Sequence, residues 1–239
     1  IQIDPTNSSV VYVAVQGHLW DADEERGVYK TTDFGKTWQR VLYVNIDAGC
    51  ADLCMDPSNP NVLYAAMWEH RRSPDFFESG GPGSGLYKTT DAGLSWVKLR
   101  KGLPQGDLGR LAVAVAPSNP NLVYLTVECE DKESKGLYRS EDAGQSWTWV
   151  SADFNLTVRP FYFSRLVVDP ANEQKIYKCG LNLTVSEDGG KTFRTVSSGV
   201  HSDIHDVWVA PEDPNFVLCG TDGGAYRSLD GGTTFEMFM

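Results

Sequence analysis

One short pattern, Ser/Thr-x-Asp-x-Gly-x-Ser/Thr-Trp/Phe, recurs five times along the 239 residues and constrains the fold more than any other feature. It occupies 31–38, 89–96, 140–147, 186–193 and 228–235, with its aspartates at Asp33, Asp91, Asp142, Asp188 and Asp230. A second marker alternates with it: Asp4-Pro5, Asp56-Pro57, Ala116-Pro117, Asp169-Pro170 and Ala210-Pro211, each followed by a polar turn. Seven residues after each proline stands a large apolar side chain, in order Tyr12, Tyr64, Tyr124, Tyr177 and Leu218. Two markers in fixed order, at a period of about 40–50 residues, are the signature of stacked structural repeats.

Each unit reads as four strands. An apolar run such as 111–115 precedes the proline and suits a strand buried on both faces. The Pro/Ser/Asn turn reverses the chain, and a second strand such as 62–66 follows. After a loop of variable length come a third strand such as 85–88, the aspartate motif, and a short fourth strand such as 96–99. This predicts an all-β fold of four-stranded antiparallel β-propeller blades, five blades' worth. The repeats fall at approximately 1–45, 46–100, 101–151, 152–197 and 198–239 of a single propeller domain or fragment. No segment carries a helical period. The chain starts and stops inside strand-like segments, so an arc of a larger propeller is expected in preference to a closed five-bladed ring.

The motif has a mechanical explanation. Its aspartate accepts backbone N–H groups across the turn, its glycine supplies positive φ, and its aromatic residue anchors the hairpin between neighbouring sheets. The five aspartates are therefore expected to be structural. No calcium-loop series of alternating aspartates with a closing glutamate accompanies them.

Charge narrows the partners. The formal net charge is −11, which argues against nucleic acid or an anionic membrane as a general partner. No apolar run is long enough to insert in a bilayer. Cys50 and Cys54 would lie roughly 13 Å apart along a strand, too far for a mutual disulfide. With Cys129, Cys179 and Cys219 they make an odd, irregularly spaced set of five, expected to be small buried hydrophobes.

These repeats resemble Asp-boxes, the BNR repeats of sialidases, xyloglucanase-type glycosidases and sortilin-type receptors. Joined to the Asp-Pro-x-Asn-Pro-Asn turns, they look most like the secreted bacterial BNR-repeat or sortilin-like "glycosyl hydrolase" proteins. The resemblance implies a secreted, periplasmic or cell-surface location. It assigns no reaction, because an Asp-box specifies a hairpin. The Arg-Ile-Pro segment of sialidases is absent.

Strand alternation fixes sidedness. Proline turns and aspartate motifs share one rim, while second-to-third loops and inter-blade links share the other, and the variable loops all lie on that second rim. They place His18, Trp20, Trp68, His70, Arg71, Arg110, Arg159, Tyr162 and His205 as candidate ligand-binding residues. Carboxylates available for glycoside hydrolysis are Glu69, Asp75, Glu128, Asp206 and Asp222, with no spacing that selects a pair. If 202–209 is extended, His201, Asp203 and His205 share one face, a candidate for holding a divalent metal. No cofactor is expected. The function expected is an extracytoplasmic binding or scaffold module for a polysaccharide or protein, with the remaining blades of a larger parent as neighbours. The alternative is a glycoside hydrolase using two carboxylates of the same rim.

Overall fold

A computed structural model describes residues 1–196 and 199–238. Its strands form five antiparallel sheets, one per repeat. The first blade holds β1 (Gln2–Ile3), β2 (Val11–Val15), β3 (Gly27–Thr31) and β4 (Gln39–Leu42). The second holds β5 (Ala48–Asp56), β6 (Asn59–Arg72), β7 (Phe77–Ser79), β8 (Gly85–Thr89) and β9 (Val97–Lys98). The third holds β10 (Leu108–Ala116), β11 (Asn119–Cys129), β12 (Gly136–Ser140) and β13 (Thr148–Ser151). The fourth holds β14 (Arg165–Val168), β15 (Ile176–Cys179), β16 (Thr184–Ser186) and β17 (Arg194–Thr195). The fifth holds β18 (Ile204–Ala210), β19 (Asp213–Thr221), β20 (Gly224–Ser228) and β21 (Glu236–Met237). One 3-10 turn, Phe154–Leu156, is the helical element among the described residues. These are the predicted β-propeller blades.

The second strands are apolar on both faces because each is covered on both sides. In β6, Leu63, Ala65 and Met67 pack with the first blade, while Tyr64 and Ala66 pack with the third. In β11, Val123, Leu125 and Val127 face the second blade, while Leu122 and Tyr124 face the fourth. Four buried apolar clusters among the described residues each join consecutive blades. None of the four joins the fifth blade to the first, and Trp38 (45% exposed) and Trp208 (49% exposed) lie on the outer faces of those two.

A polar latch repeats at the same interfaces. Tyr12 Oη donates to the Ala92 carbonyl at 2.9 Å, Tyr64 Oη to Ala143 at 2.8 Å, and Tyr177 Oη to Gly231 at 3.0 Å. Each accepting carbonyl belongs to the aspartate motif of the following blade. Lys30, Lys88 and Lys175 donate to the same three carbonyls. The third interface differs, with Tyr124 Oη donating to Glu173 at 3.0 Å.

The aspartate motif behaves as its chemistry predicts. In the third blade, Asp142 Oδ1 accepts the Ser146 amide at 2.8 Å and the Ser140 hydroxyl at 2.7 Å, while Oδ2 accepts the Ser146 hydroxyl. The other four copies repeat the pattern. The glycine at each fifth position has positive φ, as at Gly144 (φ 83°), and so does the residue before it, Ala143 (φ 55°). That second left-handed residue was not foreseen. The motif aromatics Trp147 and Phe235 are buried against the preceding blade. All five cysteines are free thiols, and burial pushes those of Cys54, Cys179 and Cys219 up to about 12.

Candidate functional site

The second blade departs from the simple repeat in a way that builds the rim. β6 runs on to Arg72, past the end of its sheet, and folds back through 73–76 to pair with β7. Alternation along β6 sends Trp68, His70 and Arg72 to one side, with Phe77 opposite Arg72 across the pair. The link 157–164, which enters β14, lies against this side.

Together they make a continuous aromatic strip. Trp68 and His70 stack at 4.3 Å, and Phe161 meets Trp68 edge-on at 5.1 Å. Phe77 lies 5.3 Å and Tyr162 5.4 Å from Phe161. Phe163 follows at 6.2 Å from Tyr162, and His205 at 5.7 Å from Phe163. Trp68, His70 and Phe163 form a buried floor, whereas Phe77 and Tyr162 are exposed. Burial lowers the His70 imidazole to about 4, helped by the Arg26 charge, so the floor is neutral at physiological pH.

The floor is wired to a carboxyl group. Trp68 Nε1 donates to Ser79 Oγ at 3.0 Å, and Ser79 Oγ donates to Glu128 Oε2 at 2.6 Å. The Arg110 amide donates to the same oxygen at 2.7 Å. Burial raises the Glu128 pKa above the ordinary range against those two hydrogen bonds. A Cβ at 109 would stand 2.3 Å from Glu128 Oε2, so any other residue there would displace the carboxyl group. Glu128 lines a cleft of about 550 Å³ with Asp107, Glu130 and Asp131.

A second cluster occupies the centre of the array. Arg165 bonds Asp206 at 2.6 Å and Asp52 at 3.4 Å, and Asp52 Oδ2 accepts the Val113 amide at 3.0 Å. Burial raises the pKa of Asp52, opposed chiefly by the Arg165 charge. This ionic staple joins the innermost strands of the second, third, fourth and fifth blades.

The candidate residues thus separate by environment. His18, Trp20, Arg159, Tyr162 and His205 are exposed on the rim. Trp68, His70 and Arg110 lie beneath it, with Arg110 Nη1 donating to the Phe161 carbonyl at 2.8 Å and holding that loop. Arg71 points to the other side of the hairpin and pairs with Asp47. Glu69 accepts the Gly83 amide at 2.8 Å and bonds Asn45, Asp75 accepts the Ser73 hydroxyl at 2.6 Å, and Asp222 pairs with His205 at 2.5 Å. The suggested metal face is not formed: β18 starts at Ile204, and Asp203 has φ 63°, which breaks the two-residue alternation. Among the described residues no three His, Cys, Asp or Glu side chains gather as a metal site. Phe77, Phe161, Ser79 and Arg165 were not anticipated. Only Phe161 had a signal in the sequence, the short Arg-Pro-Phe-Tyr-Phe run at 159–163, unusually aromatic for a link.

No protein-family model matches the chain. Among curated proteins it is similar to a probable oligoxyloglucan-reducing end-specific xyloglucanase of Neosartorya fischeri, 26% identical over 76% of this chain and 23% of that protein. A xyloglucanase of Paenibacillus is 26% identical over 92% of this chain and 20% of that one. One of Hypocrea jecorina is 34% identical over 48% and 15%. The chain spans about a fifth of the length of the curated relatives it matches. Of solved structures, an ancestral GH74 enzyme superposes with TM-score 0.62 at 21% identity, covering 100% of this chain and 34% of that one. The nidogen/laminin complex gives TM-score 0.57 at 11% identity, covering 91% and 73%. At such identities these structures establish the fold, a β-propeller architecture, and nothing further.

Proposed function

We propose that the chain grips a polysaccharide along the loop-rich rim, as part of a glycoside hydrolase of xyloglucanase-like kind working outside the cytoplasm. The observation that carries this reading is the aromatic strip from Trp68 to His205. Exposed rings over a rigid, buried floor suit stacking against sugar faces, and the strip crosses three blades, a length fit for several sugar units. The named relatives act on xyloglucan by their names, which favours the hydrolase over a purely binding role. The repeat grammar agrees with a BNR-type propeller, and the bare outer faces of the first and last blades suit further blades of a larger parent.

Within the rim, Glu128 has the surroundings a general acid needs: burial favours its protonated form, and one oxygen is fixed by Ser79 and the Arg110 amide. The carboxylates Asp206 and Asp222 are already engaged by Arg165 and His205. The test is titration of the full chain with glucan and xyloglucan oligosaccharides, with reducing-end release assayed in parallel. Tyr162→Ala should abolish binding without lowering the melting temperature, and Glu128→Gln should remove release while binding persists. Binding indifferent to Tyr162→Ala would eliminate the rim as the site, and release undiminished by Glu128→Gln would remove the acid role.

A further inference from the structure

Two guanidinium groups on the strip have no internal use. The Arg72 and Arg159 side chains form no hydrogen bond and no ion pair among the described residues, unlike Arg71, Arg139, Arg165, Arg194 and Arg227, which all face carboxylates. Both instead approach the face of one exposed ring: Arg72 Cζ is 5.8 Å and Arg159 Cζ 5.5 Å from the Tyr162 centroid. A guanidinium laid on an aromatic ring keeps its N–H edge outward, in the fork that matches a carboxylate. Arg159 is also one of five non-glycine residues with positive φ among the described residues, at 48°. Three of the others are aspartate-motif positions where the turn demands that geometry, but no motif demands it at 159. Backbone strain held beside a binding surface is commonly maintained for function.

The wider charge balance sharpens the point. The chain carries a net charge of −11, so two unneutralised arginines at one tyrosine ring run against its general field. The acidic groups around the β6–β7 hairpin are committed or turned away. Asp47 holds Arg71, Glu78 lies opposite Arg71 on the far side of the hairpin, and Asp75 bonds Ser73 at its tip.

We infer that the rim selects glycans bearing carboxylate groups, uronic-acid units, with Arg72 and Arg159, both held against Tyr162, binding the carboxylate. The inference rests on the polysaccharide reading above and adds the class of sugar. The experiment is titration calorimetry of the full chain with an oligogalacturonide and with a neutral xyloglucan oligosaccharide of equal length, at low and raised salt. The oligogalacturonide should bind about tenfold or more tightly, with an affinity that falls as salt rises. Arg72→Gln with Arg159→Gln should bring the acidic ligand down to the neutral one's affinity. Arg159→Gly alone should weaken acidic binding while the melting temperature holds or rises, because glycine accepts that backbone without strain. Equal affinity for both glycans, or acidic binding untouched by the arginine changes, would overturn the carboxylate selection and leave the polysaccharide reading standing. Failure to bind either glycan would overturn both.

Discussion

At the scale of single residues, the aspartate turns show why one side chain recurs with so little variation around it. Four of the carboxylates take three hydrogen bonds from their own hairpins and Asp230 takes four, and the neighbouring Ser or Thr hydroxyl is the largest contributor holding Asp33, Asp91, Asp142 and Asp188 down to about 2. Ordinary aspartate titrates near 3.9 when unfolded. The stabilisation is therefore complete above about pH 4 and is lost as pH falls toward 2. Asp142→Ala should cost about 1–2 kcal/mol at pH 7 in urea unfolding, with the difference from the parent shrinking toward pH 2. A constant difference across that window would contradict the ionised role. Lys178 works in the opposite sense. It is wholly buried with one acceptor among the described residues, the Cys179 carbonyl, and burial lowers its pKa to about 8. The folded chain thus releases this proton before the unfolded chain does, so stability should climb between about pH 8 and 10.4. Lys178→Met should raise the pH 7 stability by about 1–3 kcal/mol and flatten that climb. A loss on substitution would show that the amine is satisfied in place.

At the scale of elements, the strands were legible because the repeat supplies a period, an apolar run and a turn for each of them. What lay beyond the sequence was which partner each element meets. The tyrosine seven residues after the proline read as an apolar anchor, yet its hydroxyl is the recurrent part, since it reaches a carbonyl in the next repeat some 50–80 residues away, as in Tyr64 to Ala143. β7 was missed for a related reason: 77–79 is too short to show alternation and pairs only with an overhang of β6. The latch can be tested at one interface. Tyr64→Phe keeps the ring and removes the donor, while Lys88 still reaches the same carbonyl at 2.6 Å. The loss should be small, about 0.5–1.5 kcal/mol by denaturant midpoint, and adding Lys88→Met should cost more than the two single changes together, because the buried carbonyl then has neither side-chain donor. Simple additivity would mean the two donors act independently.

For the whole molecule, the candidate site was only partly visible because it is assembled from segments far apart in the chain. His18, Trp20, Tyr162 and His205 were placed on the rim by strand alternation alone, whereas Phe77, Phe161 and the Ser79–Glu128 bond required knowing how the second blade meets the third and the link into the fourth. The same view exposes a difference between the interior interfaces and the two ends. Where blades pack, the motif residue before the glycine is small, as at Ala92, Ala143, Gly189 and Gly231, because the preceding blade lies on it. In the first blade that residue is Phe34, 71% exposed, and Trp38 borders an apolar groove of about 390 Å³ with Val13, Val15 and Tyr29. In the last blade, Leu218 stands where the tyrosine latch would be, Arg227 is turned to Glu236 at 2.7 Å, and Trp208 is exposed against Phe216. The two ends therefore lack the groups that would latch them to each other in the way of the interior interfaces, while both retain apolar surface that water disfavours. Separate copies of the chain should consequently associate through these faces as concentration rises, by an amount that increases with salt because the charge of −11 opposes contact. Sedimentation velocity over a concentration series should show that association, and Trp38→Lys with Trp208→Lys should suppress it without lowering the melting temperature. A chain that stays monomeric throughout, or one whose association ignores both lysines, would show that these faces are not the adhesive surface.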